Sequence, residues 1–285
     1  MFLKTVPVLL FVGAAAFVTS STVHDTRAAK IPVVTVHAQE FAFTAPKTIA
    51  AGMTSFKLVN DGKELHHLQI MKLEQGKTLG DLQAALKNPG PPPAWLVAVG
   101  GPNAAVPGGS VEATLNLEAG NYVIACFIPS AGDPTPHMMK GMIQPLTVTA
   151  AGGIAQAGSA EIATPVPDVH LVVKDYGFAF SKPLKTGKNV IHVMNEGPQE
   201  HEVIFIKLAP GKHLADFNTW ATTGGMKGPP PGMPVDGMAG LAKGRTGIFT
   251  ANLTPGTYAL TCYVPDMKDG KEHAVHGMNS EFEVK

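Results

Sequence analysis

The 285 residues contain two cysteines, Cys126 and Cys262, and each is followed at the same spacing by the same two side chains. A histidine comes eleven residues on, His137 and His273, and a methionine five residues after that, Met142 and Met278. Upstream, an asparagine precedes a further histidine by six residues, Asn60 before His66 and Asn195 before His201. The set His, Cys, His, Met therefore occurs twice. Thiolate and imidazole together bind copper strongly, and two imidazoles with one thiolate and a weak thioether form the donor set of an electron-transfer copper site. Structural zinc normally takes more cysteine or histidine and no thioether. A disulfide is the ordinary alternative for two cysteines in an exported chain, but it would require equivalent interior points of two repeats to meet. Two buried thiols acting as small apolar groups are a third reading, and it gives the spacing no cause.

The positions that hold these residues belong to an internal repeat, which shows what both copies retain. Phe41-Ala42-Phe43 returns as Phe178-Ala179-Phe180, and Gly90-Pro91-Pro92-Pro93 as Gly228-Pro229-Pro230-Pro231. Leu117, Gly120 and Tyr122 match Leu253, Gly256 and Tyr258, and Gly141-Met142 matches Gly277-Met278. Residues 151–167, rich in alanine and glycine, have the composition of a linker. The expected domains are therefore 30–150 and 168–285.

Within each copy, stretches such as Ser55–Val59, Leu68–Met71, Tyr122–Phe127 and Leu146–Thr149 are short, β-branched or aromatic, and bounded by turn residues, as strands are. Leu79–Leu86 and its echo Leu214–Ala221 carry apolar residues at helical spacing, which predicts one short helix per copy. With 31 glycines and 24 prolines, the fold class expected is all-β, two tandem Greek-key sandwiches.

Lys4 followed by the apolar run Val6–Val18 and small residues at Ser20, Ser21, Ala28 and Ala29 reads as a signal peptide over residues 1–29. The run is too short for a comfortable membrane span, and no later segment approaches that length. Lysine plus arginine equal aspartate plus glutamate at 22 each, so nothing favours nucleic acid or an anionic membrane surface. The expected location is periplasmic or secreted.

The segment Gly256-Thr-Tyr258, Cys262, His273, Gly277-Met278 resembles the C-terminal signature of cupredoxins, the blue-copper proteins, and the first copy resembles it too. That resemblance implies the Greek-key sandwich, a type 1 copper in each copy, and His66, Cys126, His137, Met142 and His201, Cys262, His273, Met278 as the ligands. It also implies that Asn60 and Asn195 brace the ligand loops. Ten residues separate cysteine from histidine here, whereas familiar members have two to four; closing the longer loop costs little, since closure entropy grows slowly with length.

The function expected is electron transfer with a periplasmic or extracellular redox protein as partner. Copper storage or delivery, or a metal-free accessory module, is the alternative. Two-domain copper oxidases and nitrite reductases use His-x-His pairs and a histidine beside the cysteine; Cys126 lies between Ala125 and Phe127, and Cys262 between Thr261 and Tyr263. His67 and His276 read as bystanders: neighbours on a strand face opposite sides, so His67 does not share the pocket of His66, and the first copy has Lys140 where His276 stands. Met138, Met139, Met226, Met233 and Met238 read as packing under loops, and His170 and His192 as structural or exposed.

Overall fold

The structure, a computed structural model, describes residues 1–2, 30–87, 92–150 and 165–285. The signal-peptide segment, Gly90-Pro91 and most of the linker lie outside the described residues. The first copy supplies β1 (Val33–Gln39), β2 (Ala42–Thr44), β3 (Thr48–Ala50), β4 (Gly52–Asn60), β5 (Gln69–Leu73), helix α1 (Leu79–Ala85), β6 (Leu96–Gly100), β7 (Ser110–Leu117) and β8 (Gly120–Ala125). After Cys126 follow a small hairpin, β9 (Pro129–Ser130) and β10 (Asp133–Pro136), a 3-10 turn (His137–Lys140) and β11 (Ile143–Thr149). The second copy supplies β12 (Val169–Lys174), β13 (Gly177–Phe180), β14 (Gly187–Asn195), β15 (His201–Leu208), helix α2 (Leu214–Ala221), β16 (Gly232–Leu241), β17 (Thr246–Leu253), β18 (Gly256–Thr261) and β19 (Asn279–Val284).

The fold is all-β, with the two short helices where helical spacing predicts them. Alternation builds the layers: along β1, Val36 and Ala38 point into the core while Thr35, His37 and Gln39 face out, as the period of a pleated strand requires. Phe56, Leu58, Ile124 and Tyr122, all nearly or fully buried, stand among the residues between the sheets, each gaining roughly 1.5–3 kcal/mol by leaving water. The Tyr122 hydroxyl donates to Glu118 O at 2.8 Å and the Tyr258 hydroxyl to Thr254 O at 2.9 Å, the corner bond that satisfies a buried phenol.

The two copies are joined edge to edge. One sheet runs β13-β12-β14-β17-β7-β4-β1-β2 and the other β19-β18-β15-β16-β6-β5-β8-β11-β3, so both sheets cross from copy to copy. At the seam Ala113 pairs with Phe249, and Pro102 bridges to Met238. Each of these is a pair of repeat-equivalent residues, which places a local twofold axis between the copies. Gly101 and Gly237 occupy the seam with φ of +140° and +149°; a Cβ there would lie 1.8 Å from Leu68 O and 2.1 Å from Val203 O. Only glycine admits that approach.

Hairpin pairing also refines the repeat. Gln39 pairs with Ala42, and Lys174 with Gly177, so Phe41 is equivalent to Tyr176 and Phe43 to Phe178. The textual match of the two Phe-Ala-Phe segments is displaced by two residues from this register.

Candidate metal centre

Each ligand side chain is brought in by a different element. His66 follows the turn after β4 and is fixed by reciprocal backbone bonds with Ala105, at 3.2 and 2.8 Å. That turn is tied by Asn60: its Nδ2 donates to Glu64 O at 2.7 Å and Ala105 O at 2.8 Å, and its Oδ1 accepts from Gly62 N–H at 2.9 Å. Asn195 repeats the pattern with Gln199 O, Leu241 O and Gly197 N–H at 2.7, 2.6 and 2.8 Å. The bracing expected of both asparagines is present.

Cys126 and Cys262 come directly after β8 and β18, buried and unpaired by any disulfide. The long loop after each cysteine is pinched shut at its neck. His137 N–H donates to Ile128 O at 3.0 Å and Met138 N–H to Cys126 O at 2.7 Å; His273 N–H donates to Val264 O at 3.0 Å and Ala274 N–H to Cys262 O at 2.8 Å. The extra residues form an excursion beyond the neck, and the histidine returns to the cysteine.

In the first copy Cys126 Sγ lies 3.5 Å from His137 Nδ1 and 4.0 Å from His66 Nδ1, and the two Nδ1 atoms stand 3.2 Å apart. In the second, Cys262 Sγ lies 3.5 Å from His273 Nδ1, which is 3.0 Å from His201 Nδ1. Within each group the three ligand atoms lie inside 4.8 Å of one another, and all six side chains are fully buried. Met142 and Met278 are fully buried too; Met142 N–H donates to His137 O and Met278 N–H to His273 O, both at 3.0 Å.

The outer nitrogens settle which ring atom faces inward. His66 Nε2 is 3.4 Å from Glu40 Oε1, His137 Nε2 is 2.9 Å from Glu64 Oε2, and His201 Nε2 is 2.7 Å from Asp175 Oδ1. A carboxylate there accepts Nε2–H and leaves an Nδ1 lone pair aimed at the cluster. His273 Nε2 is buried without a hydrogen-bond partner, with Asp266 Oδ2 at 3.6 Å. Burial pushes all four histidines below their usual range, His273 to about 4, so the rings are neutral. In the first copy, where both outer nitrogens have a carboxylate partner, the two Nδ1 lone pairs then face each other at 3.2 Å, an arrangement that repels unless a cation sits between; in the second copy the Nδ1 atoms lie 3.0 Å apart.

Burial also pushes the Cys126 thiol up to about 12 and that of Cys262 well above its ordinary value. A metal must therefore displace the thiol proton when it binds. Donor atoms held at about 2.0–2.3 Å from one ion in a plane stand roughly 3.3–3.8 Å apart, close to the separations present here. The residues fit a copper ion, and the donor chemistry favours that metal.

Four carboxylates around the ligands, Glu40, Glu64, Asp175 and Asp266, carry no obvious signal in the sequence. Glu40 and Asp175 are repeat-equivalent acids and were open to detection once the register was right. Glu64 corresponds to Gln199, whose Nε2 donates to Asp266 Oδ2 at 2.9 Å; change of residue type hid that pair. An aromatic ring covers the later histidine in each copy: Phe41 lies 4.9 Å from His137 and Tyr176 5.4 Å from His273, centroid to centroid. His67 is no member of the ligand group, as expected, but it is not idle: its Nε2 accepts Phe127 N–H at 2.8 Å. His276 meets Asp269 at 3.1 Å outside the site. Met138 and Met238 pack in the core, while Met139 and Met233 are exposed.

The chain is thus two copies of one β unit, each bearing one buried His-Cys-His group. No protein-family model matches the sequence, and no curated protein matches it. Among solved structures, an auracyanin of Roseiflexus castenholzii is 22% identical with a TM-score of 0.29, over 42% of this chain and 99% of its own. The copper nitrite reductase of Thermus scotoductus is 12% identical, TM-score 0.24, over 90% of this chain and 62% of its own. The copper nitrite reductase of Nitrosomonas europaea is also 12% identical, TM-score 0.26, over 90% and 94%. Likenesses of this size carry no argument about chemistry, which rests on the ligand geometry of this chain. Among the described residues no helix is long and apolar enough to cross a membrane.

Proposed function

We propose that this is an exported electron carrier with two type 1 copper centres, one in each of the domains 30–150 and 168–285. His66, Cys126, His137 and Met142 would hold the first copper, and His201, Cys262, His273 and Met278 the second. The observation that carries the reading is the pair of buried groups in which two imidazole nitrogens and one thiol converge. When bound, copper supplies a one-electron Cu(II)/Cu(I) couple to a redox protein outside the cytoplasm.

The chain's own residues do the rest. Glu40, Glu64 and Asp175 hold the imidazoles at their outer nitrogens, so the rings cannot rotate as charge changes. Glu202 N–H donates to Cys262 Sγ at 3.4 Å. Such a donor stabilises negative charge on sulfur and tunes the couple. Burial of every donor atom keeps water out. Little is left to rearrange when an electron arrives, which is what makes exchange fast.

Copper content and the visible spectrum test this. The loaded wild type should hold two coppers and show intense thiolate-to-Cu(II) absorption. Cys126→Ser and Cys262→Ser should each remove one copper and about half the colour. Unchanged stoichiometry in both variants ends the proposal, and rapid loss of copper to a weak chelator would favour delivery over electron transfer.

A further inference from the structure

Outside both ligand groups, the second copy carries a third pair of facing histidines. His170 on β12 and His192 on β14 are direct partners in the parallel register of the two strands, so their side chains leave the same face of the sheet. That face is the outer one: Leu171, Ile191 and Val193 point into the core, whereas His170 is exposed and His192 half-buried. The rings meet edge to face, with centroids 5.4 Å apart and planes at 72°, and the two Nδ1 atoms stand 3.3 Å from each other. Among the described residues neither ring has another hydrogen-bond partner.

The backbone fixes this spacing. His170 is tied on its other side to Ser181, whose Oγ accepts the His170 N–H at 3.0 Å and whose N–H donates to His170 O at 2.8 Å, and His192 pairs with Ile248 of β17. Two nitrogens 3.3 Å apart, each bonded to one ion at about 2.0–2.1 Å, subtend roughly 105–110° at it, which is the tetrahedral angle. The imidazole pairs of the buried groups have nearly the same separation, 3.2 and 3.0 Å. Burial, and then the nearby His170, push His192 below its usual range, so it is a neutral donor near pH 7. The repeat-equivalent positions of the first copy hold Thr35 and Lys57 in the same register, so the fold itself requires no histidine at either place.

We propose that His170 and His192 together chelate one divalent cation of the class that prefers imidazole, Cu(II), Ni(II) or Zn(II), on the outer face of the second copy. Among the described residues no third His, Cys, Asp or Glu donor lies within 4.8 Å of both nitrogens, so water or a donor from another molecule fills the remaining positions. A site with two protein ligands and an open remainder differs from the closed four-ligand structural sites, and it takes up and releases its ion readily. Where one Nδ1–H donates to the other Nδ1 in the free pair, that proton moves to Nε2 of the same ring when the ion binds, and the neutral pair releases none. The site stands apart from the buried groups and does not depend on what they hold.

The test uses the full chain and Ni(II), with calorimetric titration counting the ions bound and thermal melting confirming the fold. The wild type should bind one Ni(II) more than His170→Ala and one more than His192→Ala; His192→Gln serves if His192→Ala does not fold. Any Ni(II) held elsewhere, in the buried groups or by His37, His213 or His276, is common to all the proteins and cancels in the comparison. Ni(II) should also raise the melting temperature of the wild type more than that of either variant, because an ion that binds only the folded pair stabilises it. A column of immobilised Ni(II), whose tethered ion reaches surface rings alone, should retain the wild type and release both variants earlier. Equal stoichiometry in the wild type and both variants leaves the pair as a hydrogen-bonded contact and overturns the proposal. Loss in one variant alone assigns the ion to a single ring and overturns it as well.

Discussion

The two copies hold the same donors in the same places and surround them differently. The first holds its histidines with Glu40 and Glu64, covers the site with Phe41, and closes its loop as a hairpin whose Gly132 N–H donates to Gly225 O of the second copy at 2.7 Å. The second holds His201 with Asp175, leaves His273 Nε2 3.6 Å from Asp266 without a hydrogen bond, covers the site with Tyr176, and keeps its loop on its own side, pinned by the Pro265 and Glu272 bridge. The inner donors are constrained by metal chemistry to a few residue types. The outer ones need only place a negative oxygen near a ring N–H, so several solutions serve, and the copies have drifted among them. Copper bound in the two groups would meet unlike surroundings and so have unlike potentials.

The strongest test of equivalence is at the seam. Gly101→Ala and Gly237→Ala each drive a methyl into a backbone oxygen at a positive φ, and each should cost about 3–5 kcal/mol in chemical denaturation. A large loss at one position and none at the other would break the local symmetry. Next come Asn60→Ala and Asn195→Ala, which strand buried carbonyls in the ligand turn; a loss of about 2–3 kcal/mol each is expected, with copper affinity falling in the affected copy alone.

A third test exploits a real difference. Glu200, partly buried beside the seam, corresponds to Leu65 in the first copy, and desolvation together with nearby Glu202 raises its carboxyl to about 7. An unfolded glutamate titrates near 4.3. Between those values the folded state binds the extra proton, so this group makes the fold less stable as pH rises through that window, with the full penalty present above it. Glu200→Gln should therefore stabilise the chain by roughly 2 kcal/mol at pH 8 and leave it nearly unchanged at pH 4, read as the difference between variant and wild type so that the buried histidines cancel. A gain that is equal at both pH values would assign the effect to packing. Smallest of all, Tyr176→Phe removes the hydroxyl bond to Asp266 and makes the second cover resemble the first; the melting temperature should move by no more than about 3 °C.

The converging His-Cys-His groups were legible because duplication prints them twice at fixed spacing, and the helices because their apolar period differs from that of strands. Alternation gave the strands away in the same manner: Val36 and Ala38 mark an inner face without help from the fold. The seam was not legible. An edge strand that pairs across copies has the same alternation as one that faces solvent, so nothing in β7 or β17 announces the partner. His67 was set aside because it cannot share a pocket with His66, which is correct, yet that geometry is what turns it toward the backbone behind Cys126. Glu64 and Asp266 escaped because each is matched by an unlike residue in the other repeat.

Pairing of Ala113 with its own counterpart Phe249 has a consequence for the halves as independent proteins. An edge that meets its equivalent across a twofold axis is self-complementary, which is the property of a symmetric homodimer interface. Residues 30–150 produced alone would therefore expose that edge and should assemble into twofold pairs, detectable as a doubled mass in sedimentation. The fused gene product would then be a covalent version of an assembly its single-copy forerunner made by association, with the freedom, which a homodimer lacks, to let one half differ from the other.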